Sequence, residues 1–282
     1  MSNSTCLSAA QTNAYLARIG LCSPLAPSLQ NLSELVYAHQ CTVPFETIDM
    51  HGCEAPPSLD LNDLFEKIVT QRRGGYCFEL NKLFHALLDS LGYDVYPVFS
   101  RVIFGRDVVP AIAHRGIIAA LDEGLHYADV GVGGPMAAGA LLLEEGKLQE
   151  IAGEHFQLVK LDETWWAVER LSLELPSKNA ADVEHLALEI PLAPNDERVY
   201  RVLEFCLART QEMDYDALNE CNSKPGSLFR ETYIANMRTS TGNSYLKGDV
   251  LTLRSNGAVE TSTLKSNAEF AEALKTYFGF MP

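Results

Sequence analysis

The sequence predicts an α+β fold with a helical start, a β-rich middle and a mixed end. Three observations carry this. Apolar residues recur at helical spacing up to Gly92. Beyond that glycine the pattern changes to short β-rich segments bounded by turn residues. PLAPND, at 191–196, then interrupts the β pattern before the last third of the chain.

The elements follow in order. TNAYLARIGL (12–21) has apolar residues at helical spacing and ends on Gly20. SLQNLSELVYAHQCTV (28–43) opens with a Ser or Asn cap and carries a stripe through Leu32, Leu35 and Val36. SLDLNDLFEKIVTQ (58–71) starts with a Ser/Asp cap and buries Leu61, Leu64, Phe65 and Ile68. The next helix has apolar residues at 80, 83, 84, 87, 88 and 91 and closes at Gly92. DVYPVFSRVIFG, HRGIIAAL, LHYADVGVG, HFQLVKL and TWWAVERL then read as strands of an antiparallel sheet or small barrel. ERVYRVLEFCLART (197–210) reads as a connecting helix capped by PLAPND. Strands return in ETYIANMRT, SYLKGDVLTLRS and AVETSTL, and NAEFAEALKTYFGF is a terminal amphipathic helix.

Composition narrows the function classes. The 282 residues are 47% hydrophobic and 21% charged, as in a folded globular chain. A net charge of −15 repels nucleic acid and anionic lipid, so neither is expected as a partner. No apolar run reaches the ~18 residues of a membrane span. The N-terminal stretch lacks the basic and apolar regions of a secretory signal, so the expected location is the cytoplasm. An anionic ligand would need a local cluster of donors, for which Arg101, Arg106, Lys224, Arg230, Arg238 and Arg254 are available. The seven cysteines are odd in number and lack CxxC spacing, which argues against a disulfide framework or a structural metal site.

One cysteine differs from the rest. Cys77, in RRGGYCFELN, sits off the apolar stripe at the junction of a glycine turn and a helix N-terminus. First-turn N–H groups and the helix dipole favour negative charge there. Gly74 and Gly75 allow positive φ and close approach of backbone or substrate. The competing reading is a small residue tolerated at a tight turn. Glu79 adds a nearby negative charge that Arg73 is expected to neutralise.

A nucleophilic thiol needs a base oriented by a third group. His85 shares the helix but lies about 12 Å along the axis from Cys77. His39, His51, His126, His155 and His185 sit at element ends or in polar surroundings, where solvent exposure is the simpler reading. His114 opens the apolar strand HRGIIAAL and would be held rigidly at its edge; alternatively it bonds only a backbone carbonyl. Asp129, within YADVGVGGP, must be hydrogen-bonded or paired if buried. A bond to one nitrogen of His114 would meet that need and set the ring's tautomer; a local turn role is the alternative. GVGGP (131–135) is glycine-rich but not a phosphate-binding loop, since no GK[ST] follows.

These segments resemble the arylamine N-acetyltransferase family. RRGGYCFELN is similar to its RGGxCxE active-site segment, and YLARIGL and VPFETID to its first helix and PFEN segments. NSKPGSLFR is similar to the segment before its third-domain strands. His114 follows Cys77 by 37 residues and Asp129 follows by another 15 in a DVGxG segment, intervals similar to the family's. The resemblance implies a helical bundle over 1–92, a central antiparallel β-barrel over 93–192, and a connecting helix with an α/β lid over 193–282. It also implies a cysteine-protease-like Cys-His-Asp core, with Cys77 as nucleophile, His114 as proton partner and Asp129 as orienting acid. Acetyl-CoA would donate the acyl group to Cys77, and an arylamine or hydrazine would then attack the thioester, in a ping-pong sequence without a metal. Phe45 would line the acceptor pocket, and Gly131, Gly133 and Gly134 would lie near the CoA arm. Val132 stands where the family often has an aromatic residue, Thr47 where PFEN has asparagine, and Ala113 where threonine or serine is frequent.

Other readings share parts of this pattern. An amide synthase releasing a carrier-bound polyketide would keep fold and triad. A thiol hydrolase would give free acid without amine. A binding module would leave the thiol inert.

Overall fold

The computed structural model describes residues 6–22, 26–51, 55–103, 108–132, 135–171, 192–193 and 196–281. Its first third is helical. Helix α1 (Ala9–Arg18) is capped by Ser8, whose side chain accepts from Gln11 N–H, and α2 (Leu29–Thr42) by Ser28 in the same way through Asn31. Helix α3 (Leu61–Phe65) is capped by Asp60 and continues as a wider helical turn over Glu66–Thr70. Helix α4 (Cys77–Ser90) is central to the fold. Leu80, Leu83, Phe84, Leu87 and Leu88 are fully buried, and so is Asn81 on another face. Gly92 ends it with φ 89°, a torsion that glycine adopts without steric cost.

Two antiparallel sheets follow from the β-rich part. After the two-residue β1 (Phe45–Glu46), the larger sheet comprises β2 (Asp94–Val102), β3 (His114–Leu121), β4 (Gly124–Ala128), β5 (Leu141–Leu142), β6 (Gln149–Ile151), β7 (Glu154–Lys160), β8 (Trp165–Leu171), β9 (Leu192–Ala193) and β10 (Asp196–Cys206). Its spatial order is β5-β4-β3-β2-β10-β8-β7-β6, with β9 on β10. The sheet curls until the chain after β5 meets β7, where Gly146 N–H donates to Leu158 O at 2.8 Å. The result is a nearly closed barrel. Phe156, Leu158, Val168, Val202 and Phe205 fill it.

The connecting helix expected from ERVYRVLEFCLART is instead strand β10. It lies between β2 and β8, pairing Glu204 with Arg101 on one side and with Ala167 on the other. The run is rich in β-branched and aromatic residues, and a central strand position rewards that more than helical spacing does. The barrel sheet thus continues past the boundary expected at 192/193.

After β10 come two helices, α5 (Asp214–Ser223) and α6 (Leu228–Glu231). A second sheet then forms from β11 (Ile234–Thr239), β12 (Gly242–Lys247), β13 (Val250–Ser255) and β14 (Ala258–Thr263), in the order β1-β11-β12-β13-β14. The terminal α7 (Asn267–Phe278) covers it through Leu274 and Phe278. Because β1 lies between α2 and α3 in sequence, its pairing with β11 ties this last unit to the helical third. Thr47 completes that tie: its hydroxyl accepts from Ile234 N–H at 3.0 Å. Among the described residues no helix is long and apolar enough to cross a membrane.

Alternation along β3 positions the site. Ile118 faces the barrel core, whereas Ile117 and Ala119 pack with the helices around α4. Arg115, fully buried, points to α5's leading segment and holds Glu212 through two hydrogen bonds of 2.6 and 2.8 Å. Its guanidinium also lies 4.7 Å from the Tyr215 ring centroid. Burial would raise the Glu212 pKa, but Arg115 and Lys82 together hold it down at about 2.

A depressed carboxylate contributes stability above its unfolded pKa and loses it as pH falls through the folded one. Glu212→Gln should therefore cost about 1–2 kcal/mol at pH 7, between an exposed pair and a fully buried one, because Glu212 is partly exposed. Urea unfolding should show the difference shrinking from about pH 4.5 downwards as acid approaches pH 2.

Candidate active site

Cys77 is the first residue of α4 and is 2% exposed. The loop that delivers it runs beside β1: Gly75 N–H donates to Pro44 O at 3.3 Å, and Glu46 N–H to Gly75 O at 2.9 Å. Neither Gly74 nor Gly75 has positive φ, contrary to one reason expected for them. Their purpose is close approach, since a Cβ on Gly74 would collide with the Pro44 carbonyl oxygen. The positive φ falls on Arg72, at 59°, whose carbonyl accepts from the buried Arg18.

Charge pairing secures the same loop, in a different arrangement from the one expected. Arg73 does not neutralise Glu79; it binds Glu46 at 2.8 Å and Asp49 at 2.9 Å. Lys67 pairs with Glu79 at 2.8 Å and with Asp49 at 3.0 Å. Glu79 also accepts the Tyr76 N–H at 2.9 Å, satisfying a helix-start donor. Burial still raises the Glu79 pKa, although Lys67 opposes that shift. Lys67 is the nearer cation because the α3 segment packs against α4, which sequence spacing does not reveal.

The structure brings Cys77, His114 and Asp129 together. His114 Nε2 lies 2.6 Å from Asp129 Oδ2, and Cys77 is a near neighbour that favours the protonated ring. With Nε2 occupied by the carboxylate, Nδ1 is the nitrogen left for the thiol. Cys77 Sγ also lies 3.7 Å from Ala113 O. His114 is 1% exposed, and burial alone would lower its pKa. The charge and hydrogen bond of Asp129, with help from Cys77, outweigh burial and push it up to about 10.

Asp129 is equally buried, at 1% exposure, and its carboxylate is fully used. Oδ2 accepts from Tyr127 hydroxyl at 2.8 Å in addition to His114, while Oδ1 accepts from Asn81 Nδ2 at 2.9 Å and Gly131 N–H at 2.7 Å. Burial pushes its pKa up; His114, Asn81 and Gly131 reverse the shift and hold it below the usual value. Asn81 further accepts Val130 N–H at 2.9 Å and donates to Arg115 O at 2.6 Å. One amide on α4 therefore registers β3, which carries the histidine, and the turn after β4, which carries the aspartate.

The other predicted positions have distinct surroundings. Gly131 lies against α4 so tightly that a Cβ would come within 2.8 Å of Cys77 Cα and 2.7 Å of Asn81 Nδ2. Its missing side chain thus has a packing reason of its own. Val132 packs on the barrel core, and Gly133 and Gly134 lie outside the described residues. Phe45 is 9% exposed, with its ring 6.0 Å from that of Phe229. Phe229 in turn lines a cavity of about 230 Å³ together with Ala113, Asn222, Ser227, Val102 and Ala111. The Ser227 hydroxyl is buried there without a hydrogen-bond partner among the described residues. Among the candidate cations, Arg101 stacks on Trp165 and Arg238 pairs with Glu154, while Arg106 lies outside the described residues.

Two histidines expected at solvent are buried. His39 faces inward from α2 between Tyr15 and Phe84, where burial lowers its pKa to about 3 and keeps the ring neutral. His126, on β4, is enclosed between β3 and β5. Among the described residues no group of three or more metal-ligating side chains converges.

A family model described as N-acetyltransferase matches residues 28–281. The chain belongs to the arylamine N-acetyltransferase family. A Salmonella typhimurium protein named arylamine N-acetyltransferase / N-hydroxyarylamine O-acetyltransferase is 34% identical over 157 residues, 54% of each chain. The matched stretch thus spans about half of that relative. The likeness in three dimensions is broader. The Mycobacterium smegmatis arylamine N-acetyl transferase structure has a TM-score of 0.81 at 27% identity, covering 95% of this chain and 91% of the other. The Mycobacterium marinum arylamine N-acetyltransferase in complex with CoA gives 0.80 at 26%, covering 95% and 92%.

Several residues of the site were not singled out by sequence reasoning. Asn81 had a signal: a polar residue one turn after Cys77, set within the apolar run of the helix. Tyr127, Lys67 and Asn222 had none, because their importance depends on what packs against them.

The His114–Asp129 pair links stability to pH. A histidine with a raised folded pKa contributes stability fully below about pH 6.5 and loses it as pH rises through about 10. Asp129, lowered, contributes above its unfolded value near 3.8 and loses that contribution in stronger acid. Between pH 7 and 10.5 the native protein should lose more unfolding free energy than His114→Gln, as measured by urea titration.

Proposed function

We propose that this chain is an acyl-CoA-dependent arylamine N-acetyltransferase that works by a ping-pong sequence through a thioester on Cys77. The observation that carries the reading is the buried Cys77–His114–Asp129 constellation beside a cavity. The family membership and the likeness to a CoA-bound relative support the choice of donor.

Asp129 stays ionised, holds His114 by Nε2 and keeps Nδ1 directed at the thiol. His114, carrying a proton, stands beside Sγ, and the N-terminus of α4 adds its dipole. Both stabilise negative charge on Sγ during attack and when it leaves. In the first half-reaction Sγ attacks the acyl carbonyl of acetyl-CoA. The bond from that carbonyl to the CoA sulfur breaks, and His114 gives its proton to the departing thiolate. In the second, the amine lone pair attacks the Cys77 thioester, His114 takes a proton from nitrogen, and the C–S bond returns its electron pair to Sγ.

Phe45 supports the acceptor wall from behind Phe229. The Ser227 hydroxyl is positioned to donate to whichever substrate fills the cavity. Lys224 and Arg230, which flank that loop, are the cations nearest to it in sequence for the anionic end of the donor. Gly131 serves the thiol by letting the 129–132 segment lie on α4.

Mixing the protein with acetyl-CoA should release free CoA thiol in a burst and add an acetyl group to the peptide containing Cys77. An aromatic amine should then discharge it as the acetylated amine. Cys77→Ser should retain the fold by circular dichroism while turnover falls by at least about 1,000-fold, because a serine hydroxyl is not ionised by this pair. Acylation only by a carrier-bound thioester, or release of free acid without amine, would contradict the assignment.

A further inference from the structure

The amide of Asn222 has one end committed and the other uncommitted. Asn222 lies in the last turn of α5, which several buried contacts hold in place. Glu212, just ahead of the helix, is gripped by Arg115. Tyr215 hydroxyl meets Thr210 Oγ1 at 2.7 Å. Asn219 donates to Pro57 O at 2.8 Å and accepts from the Tyr76 hydroxyl. The residue before Cys77 is thus bonded directly to α5.

From this fixed helix, Asn222 Nδ2 donates to Ala113 O at 3.2 Å. That carbonyl also meets Cys77 Sγ at 3.7 Å, so a single backbone oxygen separates the amide from the thiol. A carbonyl oxygen only accepts, which makes the NH2 group the end that faces Ala113 and directs Oδ1 elsewhere. Among the described residues Oδ1 accepts no hydrogen bond, and Asn222 lines the cavity. Its companions there include the apolar side chains of Val102, Ala111 and Phe229. Asn222 therefore brings to the cavity wall an acceptor that no described residue uses, one backbone carbonyl away from the nucleophile.

Aminolysis of a thioester creates a demand that this acceptor meets. A neutral primary amine brings a lone pair and two N–H bonds. The lone pair forms the new C–N bond, and one N–H proton passes to His114 as the C–S pair returns to Sγ. The second N–H remains, and it becomes a stronger donor as nitrogen gains positive charge during attack. An acceptor fixed beside the thioester then bonds the transition state more tightly than the ground state. We propose that Asn222 Oδ1 receives this second N–H and thereby selects primary amines over N-alkylated ones. A secondary amine has a single N–H, which His114 requires. This inference rests on N-acyl transfer through Cys77.

The test separates the two ideas. Native protein, Asn222→Ala and the similarly sized Asn222→Leu are acetylated with acetyl-CoA, and acylation is read by mass. Single-turnover discharge is then timed with aniline and with N-methylaniline. In both variants the aniline rate constant should fall about tenfold, the worth of one neutral hydrogen bond, and the N-methylaniline rate by less than about twofold. The preference for the primary amine should thus collapse in both. Equal losses with the two amines, or an unchanged preference, would overturn the proposal while leaving the thioester mechanism intact. Failure of both variants to acylate when the native protein does would also overturn it, making Asn222 a structural residue. If the native protein itself is never acylated, the N-acyltransfer reading fails and this inference falls with it.

Discussion

The buried carboxylate of Asp129 is the constraint on which the rest of the site depends. A carboxylate at 1% exposure is unfavourable unless its lone pairs are occupied, and here His114, Tyr127, Asn81 and Gly131 all donate to it. Those donors come from α4, from β3, from β4 and from the turn beyond β4. Satisfying one charge therefore fixes the helical third against the barrel. Gln40 extends the arrangement, donating to Asp129 O at 3.0 Å while accepting from Arg238 in the second sheet.

The nucleophile's loop depends on a separate set of charges, with Glu46 and Glu79 buried and their partners nearer the surface. Glu46, Asp49, Lys67, Arg73 and Glu79 form a connected group around the turn that precedes Cys77. Removing one member would strand another in a poorly solvated place, and this gives such groups a specificity that apolar packing lacks. The consequence for chemistry is positional. Cys77 is held at a helix start whose N–H groups and dipole favour negative charge, while Glu79's own charge is offset by Lys67. The thiol thus sits in a field shaped by groups that never touch a substrate.

Much of this was legible in the sequence, for identifiable reasons. The stripe at 80, 83, 84, 87 and 88 made α4 plain, because helical burial follows a period that sequence displays directly. Cys77 was conspicuous by departing from that stripe, and Asp129 by being a charge within an apolar strand. Strand β10 reads as a helix in sequence because its run satisfies both periods, and its two neighbours in the sheet decide between them. Arg73 pairs away from Glu79 because proximity along the chain is a poor guide to proximity between a loop and a separate helix. His39 and His126 looked polar in sequence yet are enclosed, since a histidine's burial depends on which face of its element is covered.

The sequence by itself determined the local matters: where helices begin and end, the α+β class, and which cysteine, histidine and aspartate were candidates. These follow from periodicity, capping and the cost of burying charge, all of which act over a few residues. Tertiary structure alone decided that His114 Nε2 faces Asp129, that Lys67 rather than Arg73 balances Glu79, and that Asn222 shares a carbonyl with Cys77. Those are relations between atoms distant in the chain. Their geometry is set by the joint packing of α4, the barrel and α5, and no local period encodes it.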